Sequence, residues 1–286
     1  MLSTVSSVGP AVTVVVLGAA VLHAVWNALA HAIVDKLVGF ALIGVGLTAC
    51  AAVVVLIAPT PSPASWPFLA ASVTVHVVYN LLLMRSYQLG DFGQVYPVAR
   101  GTSPLLVAVG ASVFAGEQLP GIRLAGVLVI SLGLATLVFA GGVPTRAARP
   151  AIAAAILTGM AIATYTTLDG LGVRRADTAA GYAGWLFLLQ GPVLPLMALA
   201  VRRGRLWEQV RPHLGAGMAG GALSLVAYGL VLWAQTRGAL APISALRETS
   251  VIIGAVIGAV VFHERFGRWR VAATVLVVTG VVLIDL

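Results

Sequence analysis

Apolar residues fill ten stretches of the chain, at 11–33, 38–58, 66–89, 93–114, 122–140, 150–171, 179–201, 212–236, 241–262 and 269–286. The short segments between them hold most of the arginines and many of the prolines and glycines. About 20 apolar residues in α-helix cross a bilayer, and the strands of a membrane barrel would alternate in polarity, which these stretches do not. In hydrocarbon each backbone N–H and C=O must find a partner within the protein, which a helix provides by itself. The pattern predicts an all-α integral membrane protein of ten transmembrane helices. MLSTVSSVGP at the N-terminus lacks the positive residues of a signal peptide, so the first stretch is expected to remain as a span.

The two halves of the chain resemble each other. A shift of 147 positions places Gln88 on Gln235, Arg100 on Arg247, Thr102 on Thr249, Ser103 on Ser250, Glu117 on Glu264, Arg123 on Arg270 and Gly133 on Gly280. Such coincidences mean little for alanine and valine here, and much more for Gln, Arg, Thr, Ser and Glu. The repeat predicts two domains, 1–143 with spans 1–5 and 144–286 with spans 6–10. Five is odd, so the second copy enters the membrane inverted. Inverted repeats place a solute site near the midplane and support alternating access, which points to a transporter.

Composition agrees and adds orientation. The chain is 60% hydrophobic and 9% charged, with a net charge of +8 and one cysteine, Cys50. A soluble domain carries about a quarter charged residues. One cysteine gives no intrachain disulfide and no cysteine metal site, and no cofactor or metal ligand set is visible. The positive charge reads as loops facing anionic lipid rather than as a nucleic-acid surface. Loops after odd-numbered spans carry eleven Lys or Arg residues and those after even-numbered spans four, so the odd loops are expected in the cytoplasm and both termini outside. A single lysine against sixteen arginines, with abundant alanine, suggests a GC-rich bacterial genome and hence a bacterial inner membrane.

GEQL at Glu117 and HERF at Glu264, each followed by a span with a late glycine (Gly133, Gly280), resemble the EamA-domain signature. HAVWNALA at 23–30, YPVARG at 96–101, YTTLDGLGVR at 165–174 and ALRETS at 245–250 resemble one bacterial branch of the drug/metabolite transporter superfamily. The resemblance covers essentially the whole chain. It implies two inverted five-helix EamA repeats and export of small solutes. It also implies cytoplasmic termini, against the arginine count, which is followed here.

Arg100 and Arg247 each lie about a third of the way into a span. A charge at the bilayer centre costs about 2.5–3.5 kcal/mol on insertion scales, and such residues face the bundle interior or a cavity. A guanidinium fork suits carboxylate, phosphate or phosphonate. In phosphate-carrying members of the superfamily, basic residues on the corresponding helices meet the anionic group. These two are therefore candidate substrate ligands. The structural alternative pairs Arg247 with Glu248 or Asp91 and Arg100 with carbonyls near Pro97 and Pro104.

Glu248 has no counterpart in the first half, where Gly101 stands. It is either a proton-coupling carboxylate or a static partner of Arg247. His23 and Asp169 are further coupling candidates. Asn27 and Trp26 in span 1, Tyr79 in span 3 (beside His76), Tyr165 in span 6 and Tyr228 in span 8 form polar-aromatic faces fit for lining a small-solute cavity, or for interhelical hydrogen bonds. Glu117 and Glu264 are expected to hold the fold, bonding free amides or pairing with Arg123 and Arg270. Gly217 and Gly221, and Gly254 and Gly258, are expected at close helix contacts within the chain.

HExxH, P-loop, Rossmann and GxSxG motifs are absent from the sequence, so neither an enzyme nor an ATP-driven pump is expected. The expected function is secondary transport, by export, of a small anionic or zwitterionic metabolite such as an amino acid, organic acid or phosphonate. The partners are that solute, membrane lipid and a proton or counter-substrate, and the chain acts as a monomer or homodimer. Two alternatives stay open: a proton-coupled multidrug exporter of lipophilic cations, and a lipid-handling protein or intramembrane enzyme.

Overall fold

The structure, a computed structural model, describes residues 8–33, 35–89, 92–137, 139, 146–202, 206–261 and 267–286. It is all-helical, with no strand among those residues. In chain order the helices are α1 (Pro10–Ala32), α2 (Lys36–Ile57), α3 (Trp66–Leu89), α4 (Phe92–Ala115), α5 (Gly121–Thr136), α6 (Arg149–Val173), α7 (Ala179–Gln190), α8 (Val193–Arg202), α9 (Leu206–Val210), α10 (Leu214–Gln235), α11 (Leu240–Arg247), α12 (Ser250–Val261) and α13 (Arg268–Asp285). Eight helical stretches among the described residues are long and apolar enough to cross a membrane. The large apolar residues left on the outside, among them Leu56, Phe114 and Val260, suit a lipid environment.

Ends and interruptions follow local chemistry. Asp35 caps α2, its carboxylate accepting from the amides of Leu37 and Val38 at 3.1 and 3.3 Å. Thr178 caps α7 by accepting from Gly181 N–H at 3.0 Å. Two stretches expected as single spans are broken. The 179–201 stretch stops at Gly191–Pro192, since Pro192 has no N–H to continue the ladder. The 241–262 stretch stops at Glu248–Thr249. There the amide of Thr249 bonds Leu246 O at 3.1 Å and that of Val251 bonds Glu248 O at 3.0 Å, the i→i+3 pattern of a tightened turn. No proline explains this second break; it presents Glu248 to the interior. By contrast α4 runs through Pro97 and Pro104 unbroken.

The packing pairs helices in a repeating way. α3 lies against α6 as α10 lies against α1; α4 also lies on α6, as α11 and α12 lie on α1. α5 and α13 pack on each other. Their contact is reciprocal: a Cβ on Gly126 would stand 2.8 Å from Gly280 O, and one on Gly280 2.7 Å from Gly126 O. A Cβ on Gly133 would stand 3.1 Å from Ala273 O, so the two helices run antiparallel. Shifting 126 and 133 by 147 gives 273 and 280, so the Gly126–Gly280 and Gly133–Ala273 contacts are the same pair seen from either half. Gly217 and Gly221 let α10 lie directly on α2, where Gly217 would place a Cβ 2.6 Å from that of Leu42. Gly254 differs from expectation: among the described residues nothing lies within 4 Å of its missing Cβ.

Candidate functional site

The broken stretch and its neighbours bring the buried charges together. Glu248 is fully buried, and Arg100 and Arg247 are 3% and 2% exposed, so neither guanidinium reaches lipid. Arg100 Nη1 donates to Glu248 Oε1 at 3.1 Å and lies 3.0 Å from Oε2. Arg247 Nε and Nη2 donate to the same Oε1 at 3.3 and 3.0 Å. Two cations thus share one anion, and the trio keeps an excess of one positive charge. Arg100 Nη2 also meets His23 Nε2. A guanidinium has no lone pair, so this nitrogen of His23 is the acceptor. Trp26 Nε1 lies 3.2 Å from His23 Nδ1, which carries the ring proton in that tautomer, and Asn27 Nδ2 donates to His23 O at 2.7 Å.

A cavity of about 110 Å3 adjoins this cluster, with His23 and Trp26 in its wall. Tyr79, Tyr165, Tyr228 and Phe187 line it as well. His76 stacks on Tyr165 at 3.9 Å between centroids, and Tyr79 meets Tyr165 edge-on at 5.4 Å. Phe187 is edge-on to Tyr228 at 5.6 Å. Polar groups in the lining include Asn80, Gln190 and Ser224. Behind Tyr228 lies Asp169, fully buried, which accepts from Tyr228 Oη at 2.6 Å and Tyr182 Oη at 3.1 Å. The cavity does not run evenly through the bundle. Phe40 sits in the second turn of α2 and Trp26 in the last two turns of α1, so it reaches toward the face where α1 ends.

Polar contacts bridge the opposite face. Here α4, α6 and α10 end and α11 begins. Arg174 Nη2 pairs with Glu117 Oε1 at 2.7 Å and donates to Gly238 O at 2.8 Å, while its Nε donates to Gln235 O at 2.8 Å. Glu117 Oε2 accepts from the free amide of Leu240 at 2.9 Å. One ion pair therefore joins three connections. At the same face Thr13 donates to Asp285 at 2.7 Å, closing α1 onto α13.

Placement of the expected residues is uneven. Arg100, Arg247, Glu248 and His23 form one cluster, and Trp26, Tyr79, Tyr165 and Tyr228 one cavity. Neither arginine lines the cavity itself. Asn27 bonds back to its own helix. Asp169 stands behind the cavity wall. The carboxylate alternative for Arg247 is realised by Glu248; Asp91, like Glu264, lies outside the described residues. Glu117 does bond a free amide, and it pairs with Arg174, which the sequence pattern does not single out. Arg123 and Arg270 stand at the starts of α5 and α13. Nothing in the pattern announced Tyr182, Gln190 or Ser224. Among the described residues no group of three His, Cys, Asp or Glu could hold a metal.

Residues 149–285 match the EamA-like transporter family. No curated protein matches the sequence. A crystal structure described only as that of a protein superposes with a TM-score of 0.75, covering 98% of this chain and 99% of its own at 18% identity. At that identity the likeness shows the fold.

Proposed function

We propose that this chain, whose residues 149–285 match the EamA-like transporter family, carries out secondary transport of a small anionic or zwitterionic metabolite by alternating access between two inverted five-helix repeats. The observation that carries this reading is the charge balance beside the cavity. Two guanidiniums share one buried carboxylate, and an uncompensated buried charge costs several kcal/mol by common estimates. An anionic group entering beside His23 would offset that charge. The multidrug alternative would need an accessible carboxylate, whereas Glu248 is buried and held by both arginines.

The repeat reading is supported by the paired packing and by the antiparallel, self-reciprocal contact of α5 and α13, as inverted copies require. The arginine count assigns the face where α1 ends to the cytoplasm of a bacterial inner membrane. The cavity then leans toward the cytoplasm and the Glu117–Arg174 side is outside, an arrangement suited to loading for export. Neither ATP hydrolysis nor an enzymatic reaction is part of this reading. Coupling falls to Glu248, His23 or Asp169: a proton on Glu248 would release both guanidiniums, and an exchanged solute would serve as well. The test is thermal unfolding of the purified protein with amino acids, organic acids, phosphonates and lipophilic cations. Anionic or zwitterionic compounds should raise the melting temperature in the wild type and not in Arg100→Lys. Stabilisation by lipophilic cations alone would overturn the proposal.

A further inference from the structure

Buried charges of opposite sign stand behind two residues of the cavity wall, His23 and Tyr228. On the His23 side, Arg100, Arg247 and Glu248 leave one positive charge in excess. On the other side Asp169 is fully buried and accepts from the phenols of Tyr228 and Tyr182. Tyr165 and Tyr228 form the partition. Tyr165 precedes Asp169 by one turn of α6, and the ring of Tyr228 lines the cavity while its hydroxyl holds the carboxylate. Among the described residues lining the cavity none is Lys, Arg, Asp or Glu.

Aromatic faces carry negative potential and attract cations, ammonium groups among them. Tyr79 and Tyr165 meet edge-on, as do Phe187 and Tyr228, so their faces and edges surround the space from several directions. A carboxylate directly behind Tyr228 strengthens the attraction. One cation already sits near this ring, Arg247 Cζ being 6.0 Å from its centroid, but Glu248 holds that guanidinium in place.

We infer that the aromatic part of the cavity is an ammonium subsite, so that the solute is a zwitterion. Its carboxylate or phosphonate lies toward His23 and Arg100, and its ammonium lies on Tyr79, Tyr165 and Tyr228 in front of Asp169. This rests on the transport reading above and narrows it: a simple anion would leave the Asp169 side without a counter-charge.

Binding to the purified full-length protein tests it with matched pairs. Each amino acid or betaine in a panel is set against the carboxylate in which carbon replaces the charged nitrogen, as isobutyrate for alanine or 3,3-dimethylbutyrate for glycine betaine. The best zwitterion should bind at least about tenfold more tightly than its partner, the scale of a desolvated cation–π contact. Tyr165→Phe should keep that ratio. Tyr165→Leu and Asp169→Asn should bring it toward one while leaving carboxylate binding in place. Carboxylates that bind as well as their zwitterions, or a ratio unchanged by both Tyr165→Leu and Asp169→Asn, would overturn the ammonium subsite and leave the anion reading standing. Binding of neither class, or of cations without a carboxylate only, would overturn both.

Discussion

Arg100 Nη1 stands 3.0 Å from Glu248 Oε2 although 148 positions of sequence separate the two residues. The contact joins α4 of the first half to the break between α11 and α12 in the second. It forms because Glu248 has no acidic counterpart in the first half, so one carboxylate must serve both arginines.

That sharing makes the three residues unequal. Glu248→Gln leaves two buried guanidiniums without an anion, and breaking a buried pair this way costs about 3–5 kcal/mol. Arg247→Met leaves Arg100 and Glu248 paired and neutral. Thermal unfolding should therefore show a large fall in melting temperature for Glu248→Gln and a smaller one for Arg247→Met. The reverse order would mean that the charge sum does not govern stability here.

The α5–α13 contact gives a packing prediction with an internal control. Gly280→Ala puts a methyl group 2.5 Å from Ile130 Cγ1 and 2.7 Å from Gly126 O, and overpacking of this kind costs about 1–3 kcal/mol. Gly254→Ala meets nothing within 4 Å and should leave stability unchanged or raised. Equal melting temperatures for the two variants would contradict the close approach of α5 and α13.

Glu117 and Arg174 should be energetically coupled. Their side chains are 8% and 19% exposed, so water screens the pair only in part. A double-mutant cycle of Glu117→Gln and Arg174→Gln should give a coupling of about 0.5–3 kcal/mol in unfolding. Simple additivity would show that the pair does not hold this face together.

Much of this architecture could be read from the sequence, because membrane helices announce themselves by length and apolarity. The polar matches at a shift of 147 predict a repeat, and α5 and α13 meet at positions related by that shift. The cluster of Arg100, Arg247 and Glu248 was half legible. Charge in an apolar stretch marked the residues, and Glu248 adjoins Arg247, but its reach to Arg100 depends on an unwound turn that no proline signals. The break at Gly191–Pro192 did carry its proline. Arg174 escaped because a terminal arginine reads as a loop charge; only the fold reveals three carbonyl and carboxylate partners around it. Tyr182 lies in a fully apolar-looking helix and becomes polar in role only through Asp169.

Orientation is open to a direct check. In a Cys50→Ser background, a cysteine at the exposed Thr60 should react with an impermeant maleimide in intact cells, and one at the exposed Ala147 should react only after permeabilisation. The opposite labelling pattern would place the termini in the cytoplasm and reverse the assignment of the cavity-bearing face.

The most direct test of the central claim is solute flux through proteoliposomes containing the purified protein, wild type beside Arg100→Lys. A lysine keeps the charge but loses the fork that reaches both Glu248 and His23. The account predicts uptake or efflux of an anionic or zwitterionic solute by the wild type, reduced about tenfold or more in Arg100→Lys, a loss of roughly 1.4 kcal/mol or more. Flux of lipophilic cations alone, or equal flux through both proteins, would contradict it.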